Sequence, residues 1–233
     1  MKTKANIRLD RWLAEHSNLS RSEAKAAVRA KRVKVDCHLA ISASQKVDSE
    51  AVILVDNELV AIRVPQYVML HKPLGVICAT IDGLHQTVID LLPPAFKTLH
   101  PVGRLDKETT GLVILTDDGQ WSHRVAHPKY NCEKRYLVTT KWPIPEATIE
   151  RLLAGVVLRD DPTPVAAKSI DRLADNQLMI TISEGRYHQV RRMIAACENR
   201  VMQLHRTNIG SLELDISEGE WRQLTPEEVS SLA

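Results

Sequence analysis

The sequence is short of aromatic residues: they make up 4% of the chain, with a single Phe in 233 residues. Such a protein cannot rely on stacking alone to hold a base or a polyanion, so charge and shape must carry most of any such binding. Long apolar runs are also missing. None approaches the roughly 20 residues that a membrane helix needs. The N-terminal stretch MKTKANIRLD is basic but lacks the apolar segment of a secretory signal. The four cysteines, Cys37, Cys78, Cys132 and Cys197, lie far apart and form no Cys-x-x-Cys pair, which predicts reduced thiols. The expectation is a cytoplasmic protein with no membrane partner, without internal repeats or low-complexity segments.

What the sequence does contain is an ordinary globular complement, 44% hydrophobic and 26% charged. Its net charge of +2 conceals an uneven distribution. Residues 1–35 hold ten Lys or Arg against three Asp or Glu, an excess of seven positive charges, while the remainder is net negative by five. A local excess of this kind attracts phosphates and releases their counterions. A solvated helix face is the other reading.

Local patterns divide the chain. Leu9, Trp12 and Leu13 have helical spacing, which predicts a helix over 8–16. Ser20 and Glu23 form a capping box, which starts a second helix running to about residue 31 with Ala24, Ala27 and Val28 inward. Val33 and Val35 alternate with charged residues as in a half-buried strand, and 51–55 is a further strand. The segment is a compact basic module of about 60 residues with Arg21, Lys25, Arg29 and Arg32 outside. Residues 57–66 close with Pro65 and read as a linker. This gives domains over 1–62 and 63–233. Beyond the linker, strands are expected at 67–71, 76–79, 112–116, 136–139, 178–182 and 201–204. Helices are expected at 87–92, 118–126, 145–154 and 188–197, and a last one follows the Thr225 cap and Pro226. The fold class is α+β.

The stretch HPVGRLDKETTGLVILTDDG, residues 100–119, sets Asp106 between Gly103 and Gly111, ahead of an apolar strand. A turn-forming aspartate is one reading. A working carboxylate at the lip of a buried strand is the other, and it would need a cation to stay ionised. Arg186, Arg191 and Arg192 around a strand-to-helix turn could supply a guanidinium fork. His123 and His127 have a metal-compatible helical spacing but no evident third ligand, so no metal is expected. Asp117 and Asp118 read as a turn and helix cap rather than an acid pair. The four tryptophans are core or edge residues, and Cys78 and Cys132 have no partner that would make them nucleophiles.

Two resemblances sharpen these readings. IRLDRWLAEHSNLSRSEAKAAVRAKRVKVD resembles the S4 RNA-binding domain, over about residues 6–62. It departs at Cys37, where Gly is usual; a positive φ there would strain Cys mildly. GRLDKETTGLVILTDDG, EKRYLV (133–138), ISEGRYHQVRRM (182–193) and HKPLGVICAT (71–80) resemble the RsuA/RluA superfamily of pseudouridine synthases, over about residues 67–230. The fold implied is an S4-like domain followed by a catalytic domain built on a mixed, mainly antiparallel sheet flanked by helices.

The second resemblance also implies roles. Asp106 matches the essential aspartate, Tyr136 the tyrosine that stacks on the target base, and Arg191 the basic residue that pairs with the aspartate. Leu204 matches an apolar residue under the site, and Arg104 a residue that holds or flips the target strand. Lys72 and Pro73 match a structural motif, while His188 and Gln189 lie beside Arg191 as substrate-contact candidates. Arg8, Arg11, Arg21, Lys25, Arg29 and Arg32 are the RNA-contact candidates of the S4-like domain. Pseudouridylation cuts the C1′–N1 bond of uridine and rejoins the base through C5. No atom enters or leaves, so no cofactor is expected. The motifs fit the RsuA-type, small-subunit branch best. This implies 16S rRNA or a small-subunit assembly intermediate as partner, uridine 516 as target, and a monomeric enzyme. A 23S rRNA synthase of the same family and a non-catalytic S4-type RNA-binding factor stay open. So does attack by Asp106 at C1′ or at C6.

Overall fold

The computed structural model describes residues 6–17, 19–48, 51–62, 64–159 and 161–232. Lys2 and Lys4 of the basic segment, and position 63 in the expected linker, lie outside them. The backbone forms two compact units, Met1–Val64 and Pro65–Ala233. None of the described helices is long and apolar enough to cross a membrane.

The first unit runs β1 (Asn6–Arg8), α1 (Leu9–His16), α2 (Arg21–Arg29), β2 (Val33–Val35), β3 (His38–Leu39), β4 (Lys46–Asp48), β5 (Ile53–Val55) and β6 (Glu58–Leu59). Helix α2 begins where the capping box requires. Ser20 Oγ accepts from the Glu23 amide at 3.3 Å, and Glu23 Oε2 accepts from the Ser20 amide at 2.8 Å. Leu9, Trp12, Leu13, Ala24, Ala27 and Val28 then pack against Val33, Val47 and Ile53. Asp36 and Cys37 form the two-residue turn between β2 and β3, with φ +48° and +68°. The strained geometry expected for Cys37 is therefore present. Two positive φ values are what a tight hairpin turn needs to follow the strand twist.

The second unit comprises β7 (Tyr67–Lys72), β8 (His100–Val102), β9 (Thr110–Thr116), α3 (Gly119–Ala126), β10 (Lys134–Thr140), α4 (Glu146–Ala154), β11 (Val156–Leu158), β12 (Asp161–Val165), β13 (Ser169–Ala174), β14 (Gln177–Ile182), α5 (Gln189–Ala196), β15 (Val201–Ile209), β16 (Leu212–Glu213), β17 (Trp221–Gln223) and α6 (Pro226–Ser231). Its main sheet has the order β13-β14-β10-β15-β9-β7-β17, with β16 on β15 and β8 on β9. All pairings are antiparallel except β15 with β9, so the sheet is mixed and mainly antiparallel. Leu112 and Ile114 of β9 enter one core and Val113 and Leu115 the other, all at 0% exposure. A strand buried on both faces reads as a continuous apolar run, as this one does.

Two expected elements are absent. Residues 87–92 form turns instead of a helix. Asp90 Oδ2 accepts from the Thr87 amide at 2.8 Å and from its hydroxyl at 2.9 Å, while the Val88 amide donates to Ile77 O. Those bonds divert the amides that a helix would use, and Pro93 and Pro94 follow. The strand expected at 76–79 is reduced to one parallel bridge, Ile77 with Thr87. Helix α5 starts one residue later than expected, because His188 adopts a left-handed conformation at φ +49°.

Candidate active site

Asp106 sits in the loop between β8 and β9, and several contacts fix that loop. The Thr109 amide donates to Asp106 O at 3.0 Å, and the Gly75 amide donates to Lys107 O at 2.9 Å. The Leu105 amide points at Cys78 Sγ at 3.2 Å. Arg191 Nη2 donates to Glu108 O at 2.8 Å and approaches Thr109 Oγ1 at 3.3 Å. The carboxylate itself is flanked on both oxygens. His188 Nε2 lies 3.2 Å from Oδ1, and Arg191 Nε lies 3.7 Å from Oδ2.

This is not the fork that the cluster of arginines suggested. Arg191 faces the carboxylate through Nε, without a hydrogen bond, and spends its fork on the loop backbone. Arg186 is committed to Asp161 and Glu184 at 2.8 and 3.0 Å. Arg192 donates to the carbonyls of Tyr187 and Arg159. Nor is the acid deeply buried, since its side chain is 27% exposed. Water therefore reaches it beside His188 and Arg191. Lys72, completely buried, donates from Nζ to Pro73 O. Burial pushes its ammonium pKa down, against the upward pull of Asp106, Glu108 and Glu218.

A cavity of about 260 Å³ opens beside Asp106. Its walls include Arg104, Tyr136, His188, Gln189 and Leu204, so six of the seven catalytic-domain residues singled out in the sequence meet there. Arg191 is the exception and reaches the site through its contact with Asp106. Tyr136 is 8% exposed and Leu204 6%. They lie on neighbouring strands, where β10 pairs Tyr136 with Arg206 and Val138 with Leu204. Gln189 is buried, and its Oε1 accepts from the Arg186 amide at 2.8 Å, which closes the turn ahead of α5. Its amide group is thus occupied in building the wall. His188 is stacked on Tyr187 at 3.8 Å between ring centroids.

Two charged wall residues carry no mark in the sequence. Arg206 is 3% exposed, and Lys134 is half-buried with its ammonium pKa pushed down by burial. Lys134 lies two residues before Tyr136 in EKRYLV, where a lysine at a strand start reads as solvated. Arg206 lies in HRTN, where no apolar alternation marks a strand. The rings of His123 and His127 lie 4.9 Å apart, tilted by 45°, and among the described residues no group of three His, Cys, Asp or Glu is placed to hold a metal. Asp118 caps α3, accepting from the amides of Gln120 and Trp121 at 3.0 and 2.9 Å.

In the first unit the basic residues differ in their commitments. Arg8 binds Asp10 through Nε and Nη2 at 3.1 and 2.8 Å, and Arg21 approaches the same carboxylate at 3.8 Å. Asp10 is 1% exposed, and its hydrogen bonds from Arg8 hold its carboxyl below the usual carboxylate range. Arg11 pairs with Glu15 at 2.7 Å, and Arg32 grips Asp56 through both Nε and Nη2. Among the described residues Lys25 and Arg29 make no ion pair. With Lys31 and Ile41 they line a shallow groove.

Comparison with known proteins fits this layout. A model of the RNA pseudouridylate synthase family matches residues 66–196, and an S4 domain model matches residues 7–53. The chain is 43% identical over 229 residues to ribosomal small subunit pseudouridine synthase A of Pasteurella multocida (strain Pm70), covering 97% of this chain and 99% of that protein. It is 44% identical over 231 residues to the protein of the same name from Escherichia coli (strain K12), covering 97% of this chain and 100% of that protein. A crystal structure of a pseudouridylate synthase aligns with a TM-score of 0.71 at 43% identity, covering 97% of this chain and 100% of that one. The chain therefore belongs to the RNA pseudouridylate synthase family, in its RsuA-type branch with an N-terminal S4 domain, and is a pseudouridine synthase, an isomerase.

Proposed function

We propose that the enzyme converts a uridine of 16S rRNA, uridine 516, to pseudouridine, with Asp106 as the reacting carboxylate. The reading rests on one observation above the others: the Asp106 carboxylate, flanked by His188 and Arg191, adjoins the same cavity as the ring of Tyr136. The near-full-length likeness to the small-subunit enzymes supports the choice of RNA.

The chemistry follows from those positions. The target uridine leaves its stack, which costs on the order of a few kcal/mol. Tyr136 takes the freed base against its ring, and such stacking recovers about 1–3 kcal/mol. Asp106 attacks at C1′ or C6, and the C1′–N1 bond breaks, freeing the uracil from the ribose. Arg191 and His188 flank the carboxylate and keep it aimed. Arg104, exposed at the rim, holds the displaced strand, and Leu204 supports the base from below. Lys25 and Arg29, with the other basic residues of the S4 domain, supply phosphate contacts. The reaction has no net change in atoms or electrons, so none of these steps calls for a redox group or a co-substrate.

The test is to map carbodiimide-modified pseudouridines by primer extension in a strain lacking the gene. Loss of the single 16S signal, restored by the wild-type gene, is the expected result. Loss of a 23S signal would move the substrate to the large subunit, and loss of none would leave an RNA-binding factor.

A further inference from the structure

A guanidinium removed from water normally meets a carboxylate or satisfies all its donors. Arg206 does neither. It is 3% exposed. Its Nε donates to Leu112 O at 2.8 Å, its Nη1 lies 3.5 Å from the Tyr136 hydroxyl, and its Nη2 has no hydrogen-bond partner. Among the described residues no carboxylate pairs with it, yet it lines the cavity beside Asp106. A buried cation that lines a cavity and keeps one donor idle suits an acceptor that arrives from outside.

The position is built in. Arg206 of β15 pairs with Tyr136 of β10 on one side and with Gly111 of β9 on the other. Gly111 has φ +110°, and a Cβ there would lie 2.3 Å from Arg206 O. Only glycine lets β9 come this close, and that closeness brings the guanidinium to the Leu112 carbonyl. The donor is therefore fixed before substrate arrives, which is the condition for electrostatic catalysis. Lys134, Arg104 and Arg186 also lie in the walls.

We propose that Arg206 is a further catalytic residue: its Nη2 donates to a carbonyl oxygen of the flipped uracil and stabilises the negative charge the ring gathers during isomerisation. The inference rests on the pseudouridylation reading of the cavity. When the C1′–N1 bond breaks, its electron pair leaves with the uracil and spreads over N1 and the carbonyl oxygens. The ring's π electrons then form the C5–C1′ bond, and the Asp106–C1′ bond breaks with its pair returning to the carboxylate. The C5 proton passes to water, N1 gains a proton, and the balance closes. If Asp106 adds at C6 instead, the displaced C5=C6 pair collects on O4, and loss of the C5 proton later restores that double bond and expels the carboxylate from C6. Either route loads a carbonyl oxygen. The cavity also favours a planar base over a phosphate, because Val102, Val125, Ile182 and Ile209 line it.

The test uses the full-length enzyme and a 16S rRNA fragment containing uridine 516, alongside the same fragment with 2-thiouridine or 4-thiouridine at that position. Sulfur accepts hydrogen bonds poorly, so each analogue weakens one carbonyl contact. In Arg206→Gln the single-turnover rate at saturating RNA should fall about 100-fold, with Kd within about threefold of wild type. One thio substitution should slow wild type about tenfold and slow Arg206→Gln less than about twofold further, because the same contact is lost only once. Arg206→Lys keeps a cation and one donor for Leu112 O and guards against misfolding. It should melt near wild type and still lose about tenfold in rate. Additive thio effects at both positions, or Arg206→Lys folding normally at the wild-type rate, would overturn the proposal. So would weaker RNA binding with an unchanged saturating rate, which would mark a phosphate contact. Wild type failing to modify the unsubstituted fragment would sink the underlying reading of the substrate instead.

Discussion

Gly111 and the backbone of Arg206 meet at the single parallel pairing of the main sheet, closer than any residue with a side chain would permit. A Cβ at position 111 would stand 2.3 Å from Arg206 O and 2.6 Å from Arg206 N, and the φ of +110° is itself unfavourable for L residues. Gly111→Ala should therefore force β9 and β15 apart at the cavity. We expect a loss of more than about 2 kcal/mol in denaturant unfolding and a fall in turnover at temperatures where the variant is still folded. Wild-type stability in Gly111→Ala would show that the strands can shift freely.

Asp106→Asn is nearly isosteric and removes only the charge and the nucleophile. Turnover should vanish. RNA affinity should stay within about tenfold of wild type, equivalent to roughly 1.4 kcal/mol, because phosphate contacts lie elsewhere. Pseudouridine formation by a purified Asp106→Asn sample, free of wild-type enzyme, would rule out the assigned role.

Arg191→Ala removes a loop clamp as well as a charge. A fully buried ion pair cut in this way would cost about 3–5 kcal/mol. Asp106 is 27% exposed, and Arg191 also serves Glu108 O at 2.8 Å, so we expect about 1–3 kcal/mol instead. The rate should fall about 100-fold as the carboxylate loses its aim. Thermal unfolding and single-turnover kinetics on one sample would separate the two effects.

Asp10 should give the S4 domain an acid limit. Arg8 holds the folded-state pKa of Asp10 below its ordinary value of about 3.9. A depressed carboxyl stabilises the fold above the unfolded-state pKa, and this contribution is lost as pH falls through the folded value. Hydrogen-exchange protection of α1 and α2 should therefore be insensitive to Asp10 titration between pH 7 and about 5 and should drop below about pH 4. In Asp10→Asn, protection should already be lower at neutral pH and the acid limb shallower.

The basic residues of the S4 domain should divide by their partners. Lys25→Ala and Arg29→Ala remove charges with no intramolecular carboxylate among the described residues. Each should weaken RNA binding and reduce the slope of log K against log salt by about 1. Arg8→Ala, whose guanidinium grips Asp10 at 2.8 Å, should lower domain stability first. Equal salt slopes for all three variants would contradict this division.

Several elements were legible because their signals act within a turn or two of chain. The boxes Ser20–Glu23 and Thr225–Glu228 marked the starts of α2 and α6, and the Asp118 cap marked α3. The apolar run of β9 marked a strand buried on both faces. The misreading at 87–92 has the same local origin. Val88, Ile89 and Leu92 carry apolar spacing suited to a helix, but Asp90 captures the Thr87 donors. Strand β13 went unseen because it is largely exposed and has no apolar stripe; its pairing with β14 creates it.

The sequence by itself determined the local elements, the segregation of positive charge into the first 35 residues, and the motifs that mark the family. Only the tertiary structure decided which side chains share a wall. Arg206 meets Leu112 and Tyr136 across 94 and 70 positions, in a register set by strand pairing and by the missing side chain of Gly111. Capping and periodicity are short-range and leave a local trace. A guanidinium with one idle donor in a cavity wall arises from pairings between distant strands, and no pattern along the chain encodes it.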